Sequence, residues 1–124
     1  LLVDDSIVRG NTSKKIVEMV RKQGAKNVYF ASAAPPVRYQ NVYGIDMPAT
    51  KELVAHGKTV EEIRLFIGAD ELIYQDIEDL RMAAHIGNTN ITSFEDSVFT
   101  GKYRAGEISE EYLSQLENNR SSKE

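Results

Sequence analysis

The 124-residue sequence contains no cysteine. That excludes disulfides, a thiolate metal site and a cysteine nucleophile within it. It has no basic excess: 15 Lys and Arg stand against 19 Asp and Glu, interspersed, for a net charge of −4. A nucleic-acid footprint needs clustered basic surface, so nucleic acid is not an expected partner. No apolar run approaches the roughly 20 residues of a membrane span, and no signal peptide is visible. His56 and His85 stand far apart and make a poor metal site; both read as surface or capping residues. There is no internal repeat and no low-complexity segment. What is there, 41% hydrophobic and 27% charged residues, is ordinary for a globular protein of at most one domain. The expectation is a cytoplasmic protein that touches neither membrane nor nucleic acid.

Leu1, Leu2 and Val3 read as a buried strand already under way at the first residue, ending at the acids Asp4 and Asp5. Natural N-termini are more often polar and frayed. The expectation is therefore a C-terminal portion of a longer chain, its first strand inside a sheet with partners upstream; a chain trimmed by a few residues is the alternative. Asp5 to Asn11 is a turn with Gly10 as its flexible point. From Thr12 the pattern is helical, with Ile16, Val17, Met19 and Val20 largely opposite Lys14, Lys15, Arg21 and Lys22, and Gly24 as the stop. Asn27 to Ala33 (NVYFASA) is a second buried strand. Strand, turn, helix, strand makes one βαβ unit, right-handed with parallel strands.

Ala34 to Pro48 (APPVRYQNVYGIDMP) is irregular, and a loop this long is usually functional or contacts another part of the molecule. A short helix is expected over Ala49 to Ala55. Thr59 opens TVEE, a capping box with Glu62, ahead of a helix with the stripe Val60, Ile63, Phe66 and Ile67. Glu71 to Tyr74 reads as a third strand. Asp76 caps a helix carrying Ile77, Leu80, Met82, Ala83 and Ala84, with Arg81 on its surface. Ile91 to Phe94 is a candidate edge strand. Ser109 caps a terminal helix with Tyr112, Leu113 and Leu116, before the polar tail NNRSSKE.

The opening stretch, LLVDDSIVRGNTS, carries the chemistry. A strand that turns into a helix presents free backbone N–H groups and the positive end of the helix dipole to an anion. Gly10 lets the backbone approach closely, and Ser6, Asn11, Thr12 and Ser13 add donors. A phosphate fits. The spacing is neither a P-loop nor a dinucleotide fingerprint. Two carboxylates beside a phosphate cradle need something between: Asp4 and Asp5 can accept from sugar hydroxyls or hold Mg²⁺. A ribose phosphate carrying a pyrophosphate satisfies both halves. The plain alternative is a solvated turn capped by Asp5 or Ser6.

LLVDDSIVRGNTS resembles the phosphoribosyl pyrophosphate motif of the type I phosphoribosyltransferases. With FASAAPPVRYQNVYGIDMP, ELVAHGKTVEEI, IGADELIYQ and SVFTGKY, nearly the whole chain looks like the C-terminal part of the glutamine phosphoribosylpyrophosphate amidotransferase family. The resemblance implies an α/β, parallel-sheet type I phosphoribosyltransferase fold, here partial. Residues 1–95 would be the second half of that domain and 96–124 a C-terminal extension, with an N-terminal glutaminase domain outside this chain.

In that family glutamine-derived ammonia displaces pyrophosphate from phosphoribosyl pyrophosphate to give phosphoribosylamine, the committed step of purine synthesis. Carried over by position, Asp4 and Asp5 meet the ribose hydroxyls and Mg²⁺. The run Ser6, Ile7, Val8, Arg9, Gly10, Asn11, Thr12 and Ser13 is the 5′-phosphate loop. No general base is obvious. Asn11 stands where the family more often has Thr: harmless if the backbone N–H makes the contact, a modest change if the hydroxyl does. Asp46 is implied in an inter-domain contact and Leu53 in an apolar channel wall; Tyr39 and Tyr43 serve equally well as packing residues. Some family members hold an iron–sulfur cluster through cysteines, and a chain without Cys falls in the cluster-free branch. Purine nucleotide inhibitors and a homo-oligomer of the full-length enzyme are implied as well. Two other readings stay open: another type I phosphoribosyltransferase (base salvage or orotate), and a nucleotide-binding regulatory module without turnover.

Overall fold

A computed structural model describes residues 1–104, 106 and 108–121, the last three by their backbone alone. Three parallel strands form one sheet in the order β1 (Leu2–Asp4), β2 (Tyr29–Ser32), β3 (Glu71–Tyr74). Helix α1 (Asn11–Lys22) joins the first pair. The second connection is long: the irregular 34–48 segment, a 3₁₀ turn at Thr50–Glu52, then α2 (Val60–Ile67). Right-handed crossovers between neighbouring parallel strands lay their helices on one face, and α1 and α2 pack on each other. Helices α3 (Ile77–Ile86), α4 (Ser97–Thr100) and α5 (Glu110–Ser121) follow.

The register explains where the core lies. Leu2 pairs with Phe30, and Phe30 with Leu72. Side chains alternate along a strand, so these three share the helix-covered face. There Phe30 and Leu72 close over Ile7, Val17, Val28, Val54, Ala55, Ile63, Ile67 and Ala69. The intervening row, Val3, Ala31 and Ile73, faces away, and Val3 is 71% and Ile73 55% exposed. Asp70 closes the opposite end of the sheet. Its Oδ2 accepts from the Val28 N–H at 2.6 Å and from Arg21 at 2.7 Å.

Several expectations need correcting. Leu1 and Val3 are exposed rather than buried, because only one face of β1 is covered, and β1 lies at the sheet edge, paired with β2 alone. The helix expected over Ala49 to Ala55 shrinks to the 3₁₀ turn at Thr50–Glu52. No strand forms at Ile91 to Phe94; the Ile91 carbonyl is drawn to the end of α3 by His85 Nδ1 at 2.8 Å. No residue of α3 is fully buried, and Met82 is 60% exposed. Its apolar residues are spread around the helix and form no single stripe. Only half of the α2 stripe is buried: Ile63 and Ile67 are, while Val60 and Phe66 stay partly exposed. Arg81 is more than a surface residue. It reaches Asp96 through Nε at 2.8 Å and also pairs with Glu78, so it ties α3 to the start of α4. The Thr59–Glu62 capping box and the Asp76 and Ser109 caps form as the sequence suggests. Residues 122–124 of the polar tail lie outside the described residues. Among the described residues no helix is long and apolar enough to cross a membrane.

Candidate functional site

The carboxyl ends of the strands hold the site, as is general for open parallel sheets. Pairing runs on past β1: the Ala33 N–H donates to the Asp4 carbonyl and the Ala34 N–H to the Asp5 carbonyl, both at 2.9 Å. The backbone of the two acids is thereby pinned to β2. Asp4 Oδ1 accepts from the Asp5 N–H, and the Ser6 hydroxyl donates to Asp5 Oδ1, both at 3.0 Å. One oxygen of each carboxylate is used locally. Among the described residues no Lys or Arg pairs with either acid.

Beyond the acids the chain dips into the core and comes back. Ile7 is buried at 1% exposure in the hydrophobic cluster. It anchors the loop, so its side chain is not a ligand contact; any contribution there comes through its backbone. The Val8 carbonyl accepts from the Val54 N–H at 2.8 Å. Gly10 then takes φ +75°, and a Cβ there would stand 3.0 Å from a Phe66 ring carbon and 3.1 Å from a Val54 methyl. Only glycine meets both demands. Lys14, one turn on, sets its Nζ 5.6 Å from the centre of that Phe66 ring, within cation–π range.

Gly10 is also the N-cap of α1, and it brings no side-chain cap and no acid in the first turn. Helices α2 and α3 have both: Thr59 with Glu61 and Glu62, and Asp76 with Glu78 and Asp79. The first-turn N–H groups of α1 are therefore open to an anion without a capping side chain or first-turn acid to compete.

Asp4, Asp5, Ser6, Val8, Arg9, Gly10, Thr12, Ser13 and Pro48 line one cleft of about 480 Å³. Seven of the eight cleft residues before Pro48 carry a donor, an acceptor or a close-approach glycine. Asn11 is exposed and does not line the cleft. Its backbone N–H belongs to the first turn of α1.

Sequence reasoning missed Glu52. Its Oε2 accepts from Arg9 Nε at 2.9 Å, and its Oε1 from the Ala49 N–H at 3.1 Å. The Arg9 hydrogen bond first, then the Ala49 one, hold the Glu52 carboxyl below the usual range. A Glu at the end of a capping turn carries no sequence mark of such a partner. Pro48 was legible only as part of a loop.

The other two singled-out residues lie apart from the cleft. Asp46 is exposed and lines a separate hollow of about 310 Å³ with Asn41, Ile45, Tyr112 and Leu116, between the long loop and α5. Leu53 is buried at 1% exposure. Tyr43 and Tyr103 meet edge to face at 6.2 Å, and Tyr39 packs over Gly101, so the loop tyrosines do pack. A wider cleft of about 550 Å³ lies along α3, with Arg81, His85 and Arg104. Its Arg81 is already committed to Asp96 and Glu78. Among the described residues no three metal-ligating side chains of His, Cys, Asp or Glu cluster together.

No family model matches the chain. Individual relatives do. The chain is 57% identical over 120 residues to an amidophosphoribosyltransferase of Haemophilus influenzae, covering 97% of this chain and 24% of the relative. It is 57% identical over 117 residues to that of Escherichia coli, covering 94% and 23%. It is 51% identical over 122 residues to that of Saccharomyces cerevisiae, covering 98% and 23%. The glutamine phosphoribosylpyrophosphate amidotransferase of B. subtilis, solved in complex with ADP and GMP, superposes with a TM-score of 0.72 at 42% identity, over 87% of this chain and 24% of that one. The chain thus spans about a quarter of the length of the relatives it matches. By sequence and by fold it resembles the C-terminal part of these amidotransferases, and its parallel sheet is a partial type I phosphoribosyltransferase fold.

Proposed function

We propose that this chain is the C-terminal transferase segment of an amidophosphoribosyltransferase, an enzyme that moves glutamine-derived ammonia onto phosphoribosyl pyrophosphate. The observation that supports it most is the cleft at the end of β1, where two acids with no Lys or Arg partner among the described residues stand beside a helix start with no side-chain cap. Residues 1–95 would form the second half of the transferase domain and 96–124 an extension of it. The glutaminase partner, the homo-oligomer, inhibition by purine nucleotides and the cytoplasmic setting are part of the same proposal.

In this reading the Ser6 to Ser13 loop grips the 5′-phosphate. Its donors are the first-turn N–H groups of α1, the Thr12 and Ser13 hydroxyls and the Arg9 guanidinium. Asp4 and Asp5 accept from the ribose hydroxyls. Clamped at both ends, the sugar offers C1 to the incoming ammonia, and holding two reactants in line is a large part of such catalysis. Ammonia forms the new C1–N bond while the C1–O bond to pyrophosphate breaks, through an oxocarbenium-like state and with inversion. Its lone pair makes a general base on this segment unnecessary for the attack.

Mg²⁺ fits the donor set: two carboxylates and a hydroxyl are hard oxygen ligands, and this ion is usually bound by one or two carboxylates plus waters and substrate phosphates. Asp4 and Asp5 would hold it, and when bound it neutralises charge on the departing pyrophosphate. On the same reading the enzyme belongs to the cluster-free branch of the family. Asp46 and Leu53 remain candidates for the inter-domain contact and the ammonia path.

The test is Asp4→Asn combined with Asp5→Asn in the complete enzyme. Phosphoribosylamine formation should vanish while glutamine binding survives. Near-normal transfer in that variant would overturn the role of the acids.

A further inference from the structure

We infer that Glu52 is a positioning residue for the phosphate loop: it holds Arg9 so that the open edge of the guanidinium faces the phosphate in the cleft. This rests on the phosphoribosyl pyrophosphate reading and specifies one part of it. The two residues are 43 positions apart, so the contact belongs to the fold and not to the motif.

A guanidinium is a planar fork with five N–H donors. Arg9 spends Nε on Glu52, and among the described residues its Nη nitrogens make no hydrogen bond. Those two nitrogens form the edge suited to a phosphate, and Arg9 lines the cleft.

Glu52 is itself held. Its second oxygen accepts from the Ala49 N–H, which fixes the carboxylate to the 3₁₀ turn. That turn is fastened to the loop by the Val54-to-Val8 hydrogen bond and by the Val54 methyl under Gly10. The carboxylate therefore stands at a fixed place relative to the loop, and a long flexible Arg is given one orientation by it. The side chains of the pair are 53% and 30% exposed, so the contact adds little to stability. A positioning role accounts for an ordered contact at such a site. The charge of Glu52 does not oppose the phosphate, because Arg9 neutralises it.

The test is a double-mutant cycle in the complete protein: Arg9→Ala, Glu52→Ala and the pair together. The readouts are the Kd for ribose 5-phosphate by calorimetry, KM for phosphoribosyl pyrophosphate, kcat and Tm. Glu52→Ala should weaken ribose 5-phosphate about tenfold and raise KM in proportion, with kcat and Tm nearly unchanged. The double variant should bind no worse than Arg9→Ala alone. Additive losses, or tighter binding by Glu52→Ala, overturn the inference. If Glu52→Ala does not fold, Glu52→Gln keeps one acceptor oxygen and should lose affinity by a smaller factor; unchanged affinity in that variant also overturns it. An unsubstituted protein that binds neither ligand would overturn the parent reading too, whereas an additive cycle in a protein that binds both overturns only the role of Glu52.

Discussion

Replacing Gly10 with alanine tests the two constraints that the structure puts on one atom. The first is backbone. At φ +75° an L-residue brings Cβ too near its own following carbonyl, at a cost of about 1 kcal/mol or somewhat more. The second is packing. The new methyl would lie 3.0 Å and 3.3 Å from Phe66 ring carbons and 3.1 Å from Val54, all tighter than ordinary contact. Overpacking of this kind costs about 1–3 kcal/mol. Alanine also stiffens the unfolded chain, which returns about 0.4–1 kcal/mol. The net expectation is a loss of about 2–3 kcal/mol. With an unfolding entropy of about 2.1 cal/mol/K per residue over this length, that lowers Tm by about 10 °C.

The assay is thermal unfolding followed by circular dichroism, alongside titration with ribose 5-phosphate. Phe66→Leu in the Gly10→Ala background removes part of the clash but leaves the backbone strain, so about half of the loss should return. Compared with Phe66→Leu alone, the cycle should show a coupling of about 1 kcal/mol. A Gly10→Ala protein within 2 °C of the parent would refute both constraints. A loss that Phe66→Leu does not touch would refute the packing half.

Asp70 sets part of the acid stability. Hydrogen bonds from the Val28 N–H and then from Arg21 hold its carboxyl below the usual 3.8. A depressed carboxyl pKa gives stability that is complete above the unfolded value and is lost as pH falls through the folded one. Asp70→Asn should therefore flatten the fall in stability below about pH 4, measured by urea midpoints across pH 2–6; an unchanged acid limb would exclude it as a contributor. Tyr74 behaves in the opposite sense. Burial pushes its hydroxyl up to about 12, and among the described residues that buried oxygen has no hydrogen-bond partner. A raised pKa gives stability that is present below the unfolded value near 10 and lost as pH rises toward 12. Tyr74→Phe should leave stability at pH 7 unchanged or raise it by up to about 1 kcal/mol, and should remove the alkaline loss between pH 10 and 12. A clear destabilisation at pH 7 would mean that the hydroxyl has a partner in solution.

What could be read from sequence divides by range. The strands at Leu2–Asp4 and Glu71–Tyr74, the capping box at Thr59 and the cap at Asp76 were legible because each is decided within a few residues. Most of the cleft was legible for the same reason: Asp4 to Ser13 is one continuous stretch from the end of β1 to the start of α1. The burial of Ile7 was not legible because Ser6 and Val8 on either side of it line the cleft, and only the core cluster it joins shows where its side chain goes. Arg81 gave no sign of its role because Asp96, its partner, sits 15 residues away beyond a stretch with no regular pattern. The strand expected at Ile91 to Phe94 failed because a β pattern needs an open edge beside it, and the carbonyl of Ile91 was already taken.

Apart from Pro48 the cleft comes from one stretch of sequence, but distant parts of the chain hold most of its backbone. Asp4 and Asp5 are fixed by the Ala33 and Ala34 N–H groups after β2, Val8 by Val54, Arg9 by Glu52, and Gly10 by Phe66 on α2. Three separate parts of the chain converge on one turn. The register between β1 and β2 matters most, since Asp4 pairs with Ser32 and a slip by one residue would carry Asp4 to the uncovered face. The same sheet that buries Leu2, Phe30 and Leu72 thus decides which way the first acid points. Core and site cannot be varied independently here. Substitutions in Phe30 or Val54 that loosen the sheet or the 3₁₀ turn should reach the phosphate loop, although neither residue lines the cleft.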